Sequence, residues 1–157
     1  MGFSLTGLII AATLFAPNLL MLVFPPKNVP AGLKDAGVFF TVLERIGQVG
    51  CVLLLCLSEG LNQLGFTVWL VLTAVCIAVY WGLWLRYAGR GQAFMLLFRP
   101  LGLIPVPMAV FPVLAFGFAA AAGRNFWLGI AVVLFAIGHL ANSWHTYKIA
   151  RDVEKKG

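Results

Sequence analysis

Two charged side chains, Glu44 and Arg45, interrupt the apolar stretch 38–57. A charge at bilayer depth is costly, so such residues usually bind a ligand, carry a proton or form a specific buried pair. Glu44 is too short to reach water from that depth and therefore needs a proton or a partner. Adjacent residues point about 100° apart on a helix. We therefore expect Glu44 to pair with His139, with a cation or with Arg45 of a neighbouring subunit. It would then act either as a brace between helices or as a ligand- or proton-binding carboxylate.

Polar residues in other apolar stretches are predicted to lie at the depth of Glu44 and Arg45. With a rise of 1.5 Å per residue, Glu44 and Arg45 lie about 9 to 10 Å from the nearer end of their stretch, and Asn18, Tyr80 and His139 about 7 to 9 Å from the ends of theirs. Polar side chains in membrane spans turn toward the bundle or a wet cavity. The sequence therefore predicts a polar ligand-binding cavity lined by Asn18, Glu44, Arg45, Gln48, Tyr80, His139 and Asn142.

Five apolar stretches are candidates for the helices that position these residues, since a membrane span needs about 20 mainly apolar residues. The chain has 157 residues, of which 62% are hydrophobic and 10% charged, whereas a soluble domain carries about 25% charged residues. The stretches are 5–24, 38–57, 66–85, 104–122 and 126–144. The sequence thus predicts one integral membrane domain over 1–157, an all-α, polytopic, five-transmembrane-helix bundle.

The distribution of lysine and arginine predicts the orientation of this bundle. With five spans, nine of the eleven basic residues fall in the first loop, the third loop and the C-terminal tail, and Arg124 alone lies on the other side. Basic residues concentrate on the cytoplasmic side, so we expect the N-terminus outside and the C-terminus cytoplasmic, in a multi-pass protein of a bacterial cytoplasmic membrane. No basic n-region precedes the first stretch, which is therefore expected to remain as a span.

Proline and tryptophan add two local expectations. Pro17 should break the first helix, because it removes one hydrogen bond and leaves the carbonyl of Thr13 without its usual partner. Such a break is tolerated at membrane depth beside protein or water, which favours a cavity near Asn18. Aromatic residues near the ends of the third and fifth stretches are predicted to be interfacial anchors. They are Trp81, Trp84 and Tyr87 at the inner end of the third stretch, Trp127 at the outer end of the fifth, and Trp144 and Tyr147 at its inner end.

The net charge of +6 is explained by a cytoplasmic surface that faces anionic membrane lipids, each cation contributing about 1 kcal/mol. Arg86, Arg90 and Arg99, in and around the third loop, are candidates for holding a lipid headgroup. No basic helix with interleaved aromatic residues stands outside the membrane, so nucleic-acid binding is not predicted.

Familiar catalytic and cofactor motifs are missing from the sequence, including G-x-S-x-G, H-E-x-x-H and phosphate-binding loops. Cys51, Cys56 and Cys76 lie in apolar stretches without metal-ligand spacing and are interpreted as small buried hydrophobic residues. The sequence therefore predicts no catalytic constellation, no metal site and no cofactor.

Three functions remain compatible with this sequence. The leading prediction is a protein that binds or transports a small polar or amphipathic ligand through the cytoplasmic-side cavity, as a homo-oligomer if it transports, since five helices barely surround a passage. A non-catalytic subunit of a membrane complex would use Glu44 and Arg45 as a brace. An intramembrane lipid-modifying enzyme would use Glu44 or His139 as a general base.

Overall fold

The computed structural model describes residues 2–63 and 67–155, and this part of the chain consists of helices and loops without a β-strand. The prediction of an all-helical fold is therefore confirmed. The first helix comprises Leu5–Phe15, a 3₁₀ turn over Ala16–Leu19 and a last turn over Leu20–Val23. The five helices are α1 (Leu5–Val23), α2 (Val38–Cys56), α3 (Val68–Gly89), α4 (Pro107–Ala122) and α5 (Phe126–Glu154).

Four of these helices, α1, α2, α3 and α5, are long and apolar enough to cross a membrane. Their length and composition support a multi-pass membrane protein. The helix α4 has 16 residues, about 24 Å at 1.5 Å per residue, and it begins at Pro107 rather than at 104. Val106 immediately before it has a left-handed backbone with φ of 40°. The helix α5 continues past residue 144 to Glu154, and position 66 of the third predicted stretch lies outside the described residues.

The helices pack in a ring whose order differs from the chain order. The helix α2 packs between α1 and α5, α4 packs between α5 and α3, and a small contact between α1 and α3 closes the ring. Nine of the 16 residues of α4 are buried, so this short helix is enclosed by its neighbours. Each helix therefore presents one face to the centre of the ring.

Contacts between loops define two ends of the bundle. At one end the backbone of Lys27 pairs with Gln92 and Phe94, which joins the first loop to the third. At the opposite end Asn125 donates a hydrogen bond to the Ser58 hydroxyl at 2.6 Å, and Ser4 donates to the Cys56 carbonyl. The five helices therefore alternate in direction. The first end is called the basic end because its loops and the last turns of α5 carry Lys27, Lys34, Arg90, Arg99, Lys148, Arg151 and Lys155.

Two glycines allow α2 and α5 to cross with their backbones in contact. A Cβ atom at Gly138 would lie 2.7 Å from the Cα of Glu44, and one at Gly47 would lie 2.5 Å from the Cα of Phe135. In a membrane, such small residues permit the close van der Waals packing that holds helices together. The crossing places Glu44 directly against the turn of α5 that begins at Gly138.

The predicted break at Pro17 is also confirmed, since the α-helix gives way there to the 3₁₀ turn. The carbonyl of Thr13, which loses its usual partner, accepts a hydrogen bond from the indole Nε1 of Trp81 at 3.0 Å. A side chain of α3 thus satisfies the backbone of α1 at the break. Polar backbone in hydrocarbon requires such a partner.

The close crossing makes Gly138 a sensitive position. Gly138→Ala should separate α2 from α5 and destabilise the protein by about 1–3 kcal/mol, the usual cost of overpacking. The matched control is Gly129→Ala on the same helix, where a new Cβ would meet nothing within 4 Å. Thermal unfolding in detergent should show a lower melting temperature for Gly138→Ala alone. Equal melting temperatures for the two variants would contradict the crossing.

Candidate functional site

The carboxylate of Glu44 contacts two side chains of α5. Its Oε1 lies 2.7 Å from Nδ1 of His139, and its Oε2 accepts a hydrogen bond from Nδ2 of Asn142 at 2.6 Å. The side chains of Glu44 and His139 are 20% and 25% exposed. Asn142 also accepts from the backbone N–H of Ala36 in the first loop at 3.1 Å. These three side chains, Glu44, His139 and Asn142, are called the carboxylate cluster below.

Helical spacing on α5 and the glycine crossing between α2 and α5 produce this geometry. His139 and Asn142 are three residues apart and share one face of α5, while Gly47, one turn after Glu44, brings α2 close to that face. Of the partners expected for Glu44, the structure provides His139. Over the described residues, no group of three or more His, Cys, Asp or Glu side chains is placed to hold a metal ion.

This contact determines which atom of His139 is left for a ligand. When Glu44 is ionised, its carboxylate only accepts hydrogen bonds, so the contact then places a proton on Nδ1 and leaves Nε2 as the second ring nitrogen. The ring stacks on Phe135 with centroids 4.8 Å apart and planes 18° from parallel. Among the described residues, Nε2 makes no hydrogen bond. The pairing therefore holds an oriented imidazole with one free nitrogen.

A central cavity of about 240 Å³ lies inside the ring of helices, and all five helices contribute to its wall. This volume is below the range of about 300–1,000 Å³ typical of pockets for drug-sized ligands. Most of the wall is apolar, from side chains such as Leu14, Phe98, Met108 and Phe116. The polar side chains on the wall are Asn18, Gln48, Tyr80, Trp84, His139 and Ser143.

Four of the predicted site residues, Asn18, Gln48, Tyr80 and His139, thus line one cavity. Behind this wall Glu44 contacts His139, and Asn142 contacts Glu44. Arg45 instead lies on the exposed side of α2 with Val42, Ile46 and Val49. The rotation of about 100° per residue explains this separation, because Glu44 faces α5 and its neighbour turns away.

On the α3 side of the cavity, the Tyr80 hydroxyl donates a hydrogen bond to Oδ1 of Asn18 at 2.7 Å. The ring of Trp84 packs edge-on against Tyr80, with centroids 6.3 Å apart. The Nε1 atom of Trp84 is buried and has no hydrogen-bond partner among the described residues. An unpaired buried donor is rare in native structures, so this indole N–H is suited to an acceptor group of a ligand.

The prediction that Trp84 and Tyr87 are interfacial anchors is wrong. Trp84 is 4% exposed and Tyr87 is fully buried, and the Tyr87 hydroxyl donates to the Phe24 carbonyl at 2.9 Å. Composition predicts aromatic residues near the interface, but the helix order decides whether they face lipid or the bundle. The spacing of Tyr80 and Trp84, four residues apart on one helix face, was the available signal.

The predicted headgroup residues lie away from this cavity. Arg90 and Arg99 line a separate pocket at the basic end, together with Tyr147 and Arg151 of α5. Arg86 contacts the carbonyl of Leu96 through Nη2 at 3.4 Å.

No protein-family model, no curated protein and no solved structure matches this chain. Its own structure combines an oriented histidine, a small central cavity and a second pocket lined by arginines.

The carboxylate cluster predicts unequal effects for the two adjacent charged residues of α2. Glu44→Ala should lower the free energy of unfolding by about 2 kcal/mol or more, because it leaves polar groups of His139 and Asn142 unpaired at about 1–3 kcal/mol each. The matched control is Arg45→Ala, whose exposed side chain should change stability by about 0.5 kcal/mol or less. Denaturant titration in mixed micelles measures both. A loss at Arg45 as large as that at Glu44 would be inconsistent with the cluster.

Proposed function

We propose that the protein binds a small amphipathic molecule in the central cavity of a five-span membrane bundle. The observation that carries this proposal is the 2.7 Å contact between Glu44 and His139, because the imidazole that it orients forms part of the cavity wall. Ionisable side chains in membrane spans usually mark ligand or proton pathways. A brace between helices would not need the histidine ring to border an open cavity.

The proposed topology has all five helices crossing the membrane, with the N-terminus outside and the basic end in the cytoplasm. Its support is the segregation of lysine and arginine to the basic end together with the positive-inside rule. Because the helices alternate in direction, α4 runs from one end of the bundle to the other, as its neighbours do. A bacterial cytoplasmic membrane is the proposed location, in which anionic lipids would face the basic end.

The wall of the cavity limits the chemistry of the ligand. Its apolar side chains suit a hydrocarbon body, and the few polar groups can hold one hydrogen-bonding end, which is the usual composition of small-molecule sites. The free Nε2 of His139 can exchange a proton with that end, while Nε1 of Trp84 offers it a donor. We therefore propose a ligand with a short apolar body and one acidic or hydrogen-bonding group.

Transport would extend this proposal by moving the ligand between the cavity and one side of the membrane. Protonation of the carboxylate cluster would alter the hydrogen bonds that join α2 to α5, and such a contact can couple a proton to helix movement. A homo-oligomer is proposed for this case, because a single ring of five helices encloses a small cavity rather than a passage.

A role as a subunit of a larger membrane assembly is the second candidate. It is favoured by Arg45, which lies among exposed apolar side chains on α2 without an acidic partner within 4.0 Å in the described part of the chain. A partner chain with an acidic residue at that depth would satisfy this guanidinium. If the protein has this role, filling the central cavity should not change which small molecules copurify with it.

Filling the cavity should therefore abolish ligand binding. Ala109 of α4 lines the cavity and is 4% exposed, so Ala109→Trp places a large ring in the space of the ligand. The matched control is Val133→Trp on the exposed surface of α5. Mass spectrometry of solvent extracts of the purified proteins should find the same small amphipathic molecule in wild type and Val133→Trp, and lose it in Ala109→Trp.

Size-exclusion chromatography establishes that both variants are folded, and Ala109→Leu provides a smaller obstruction if the tryptophan is not accommodated. Identical extracts from wild type and from a folded cavity-filled variant would rule out the central cavity as the binding site.

A further inference from the structure

A second pocket of about 490 Å³ lies at the basic end, between the third loop and the last turns of α5. Its residues differ from those of the central cavity. Arg90 and Arg99 enter it from the third loop, while Tyr147, Arg151 and Glu154 enter it from α5. Residues separated by about a third of the chain thus converge on one polar pocket.

The pocket carries an excess of positive charge, with three guanidinium groups and one carboxylate on its wall. In the described part of the chain, Arg90 and Arg99 have no carboxylate within 4.0 Å, and Arg151 has only the adjacent, exposed Asp152 at 4.0 Å. Arg86 stands beside this group, close enough for Arg90 and Arg99 to repel its charge, and its buried Nε has no hydrogen-bond partner among the described residues. An anion in the pocket would relieve this repulsion.

The backbone around the pocket is already folded to hold these side chains. The third loop is fixed to the first by hydrogen bonds from Lys27 to Gln92 and from Phe94 to Lys27, at 2.8 and 2.9 Å. Phe94 and Leu96 anchor the loop in the core. On the other wall, the guanidinium of Arg151 lies over the ring of Tyr147, 5.6 Å from its centroid. Binding would therefore cost little ordering of the site.

Arginine is the side chain best matched to a phosphate group, because its planar fork forms paired, charge-assisted hydrogen bonds to two oxygens. The position of the pocket adds to this match. Tyr147 packs against Trp144 on the same helix, and such aromatic pairs are typical of the depth at which lipid headgroups lie.

We propose that the pocket formed by Arg90, Arg99, Tyr147 and Arg151 binds a phosphate group, supplied by the headgroup of an anionic lipid or by a soluble phosphate. Glu154 offsets one of the three positive charges on the wall of the pocket. This site stands independently of the function proposed for the central cavity.

The test compares the full-length wild type with two variants that lose the same charge. The first combines Arg90→Gln, Arg99→Gln and Arg151→Gln, and the second, a matched control, combines Lys34→Gln, Lys148→Gln and Lys155→Gln at the same end but outside the pocket. Native mass spectrometry in a non-ionic detergent measures the binding of phosphatidic acid, with diacylglycerol, which carries no phosphate, as reference. Inorganic phosphate is titrated separately against chloride at equal ionic strength, with the melting temperature as the measurement.

We expect phosphatidic acid to bind the arginine variant about tenfold more weakly per arginine removed, since each charge-assisted hydrogen bond contributes about that factor. The lysine variant should bind like the wild type. A preference for phosphatidic acid without an effect of inorganic phosphate assigns the site to lipid, whereas stabilisation of the wild type and not of the arginine variant by inorganic phosphate assigns it to soluble phosphates.

Equal losses in the two variants would overturn the proposal, because they would show a diffuse attraction between charges. A wild type that does not distinguish the phosphate probes from their references would overturn it as well. If the arginine variant does not fold, the combined variant Arg90→Lys, Arg99→Lys and Arg151→Lys keeps the charge and removes the forks. Its affinity for the phosphate probe should fall, and an unchanged affinity would overturn the assignment.

Discussion

A carboxylate at bilayer depth must be protonated, hydrated or paired, and in this protein Glu44 is paired with two side chains of the last helix. That pairing joins α2, α5 and the first loop. The glycine crossing at Gly47 and Gly138 brings α2 and α5 close enough for it to form, and Asn142 extends it to the backbone of Ala36 in the first loop. The same pairing determines how the ring of His139 faces the cavity.

The order of the helices determines where the carboxylate cluster lies relative to the two pockets. Because α2 lies between α1 and α5, the carboxylate cluster stands on one side of the central cavity, and the pair of Tyr80 and Asn18 belongs to the α1 and α3 side. The third loop borders both pockets, since Leu97 and Phe98 line the central cavity while Leu96 and Arg99 line the basic pocket. A movement of this loop would therefore affect both pockets together.

The sequence alone predicts the helices and the break at Pro17, because hydrophobic length and proline geometry are local properties. The cost of a buried charge also indicates that Glu44 needs a partner, but the sequence leaves three partners open, of which His139 is one. It does not predict that Arg45 faces outward, that Trp84 is buried or that Arg151 joins Arg90 and Arg99. Those facts depend on which helices are neighbours, and helix order arises from pairwise packing, such as the backbone contact at Gly138. The sequence also does not indicate that α4 begins at Pro107, because several prolines lie close together in that stretch.

Nitrogen-15 NMR of the imidazole of His139 tests the central claim most directly. The chain has two histidines, so a His145→Asn variant isolates the signal. We predict that Nδ1 carries a hydrogen atom at every pH at which Glu44 is ionised. The signals of the ring nitrogens should shift in the Glu44→Gln variant. A neutral imidazole protonated on Nε2, with signals insensitive to Glu44→Gln, would contradict the account.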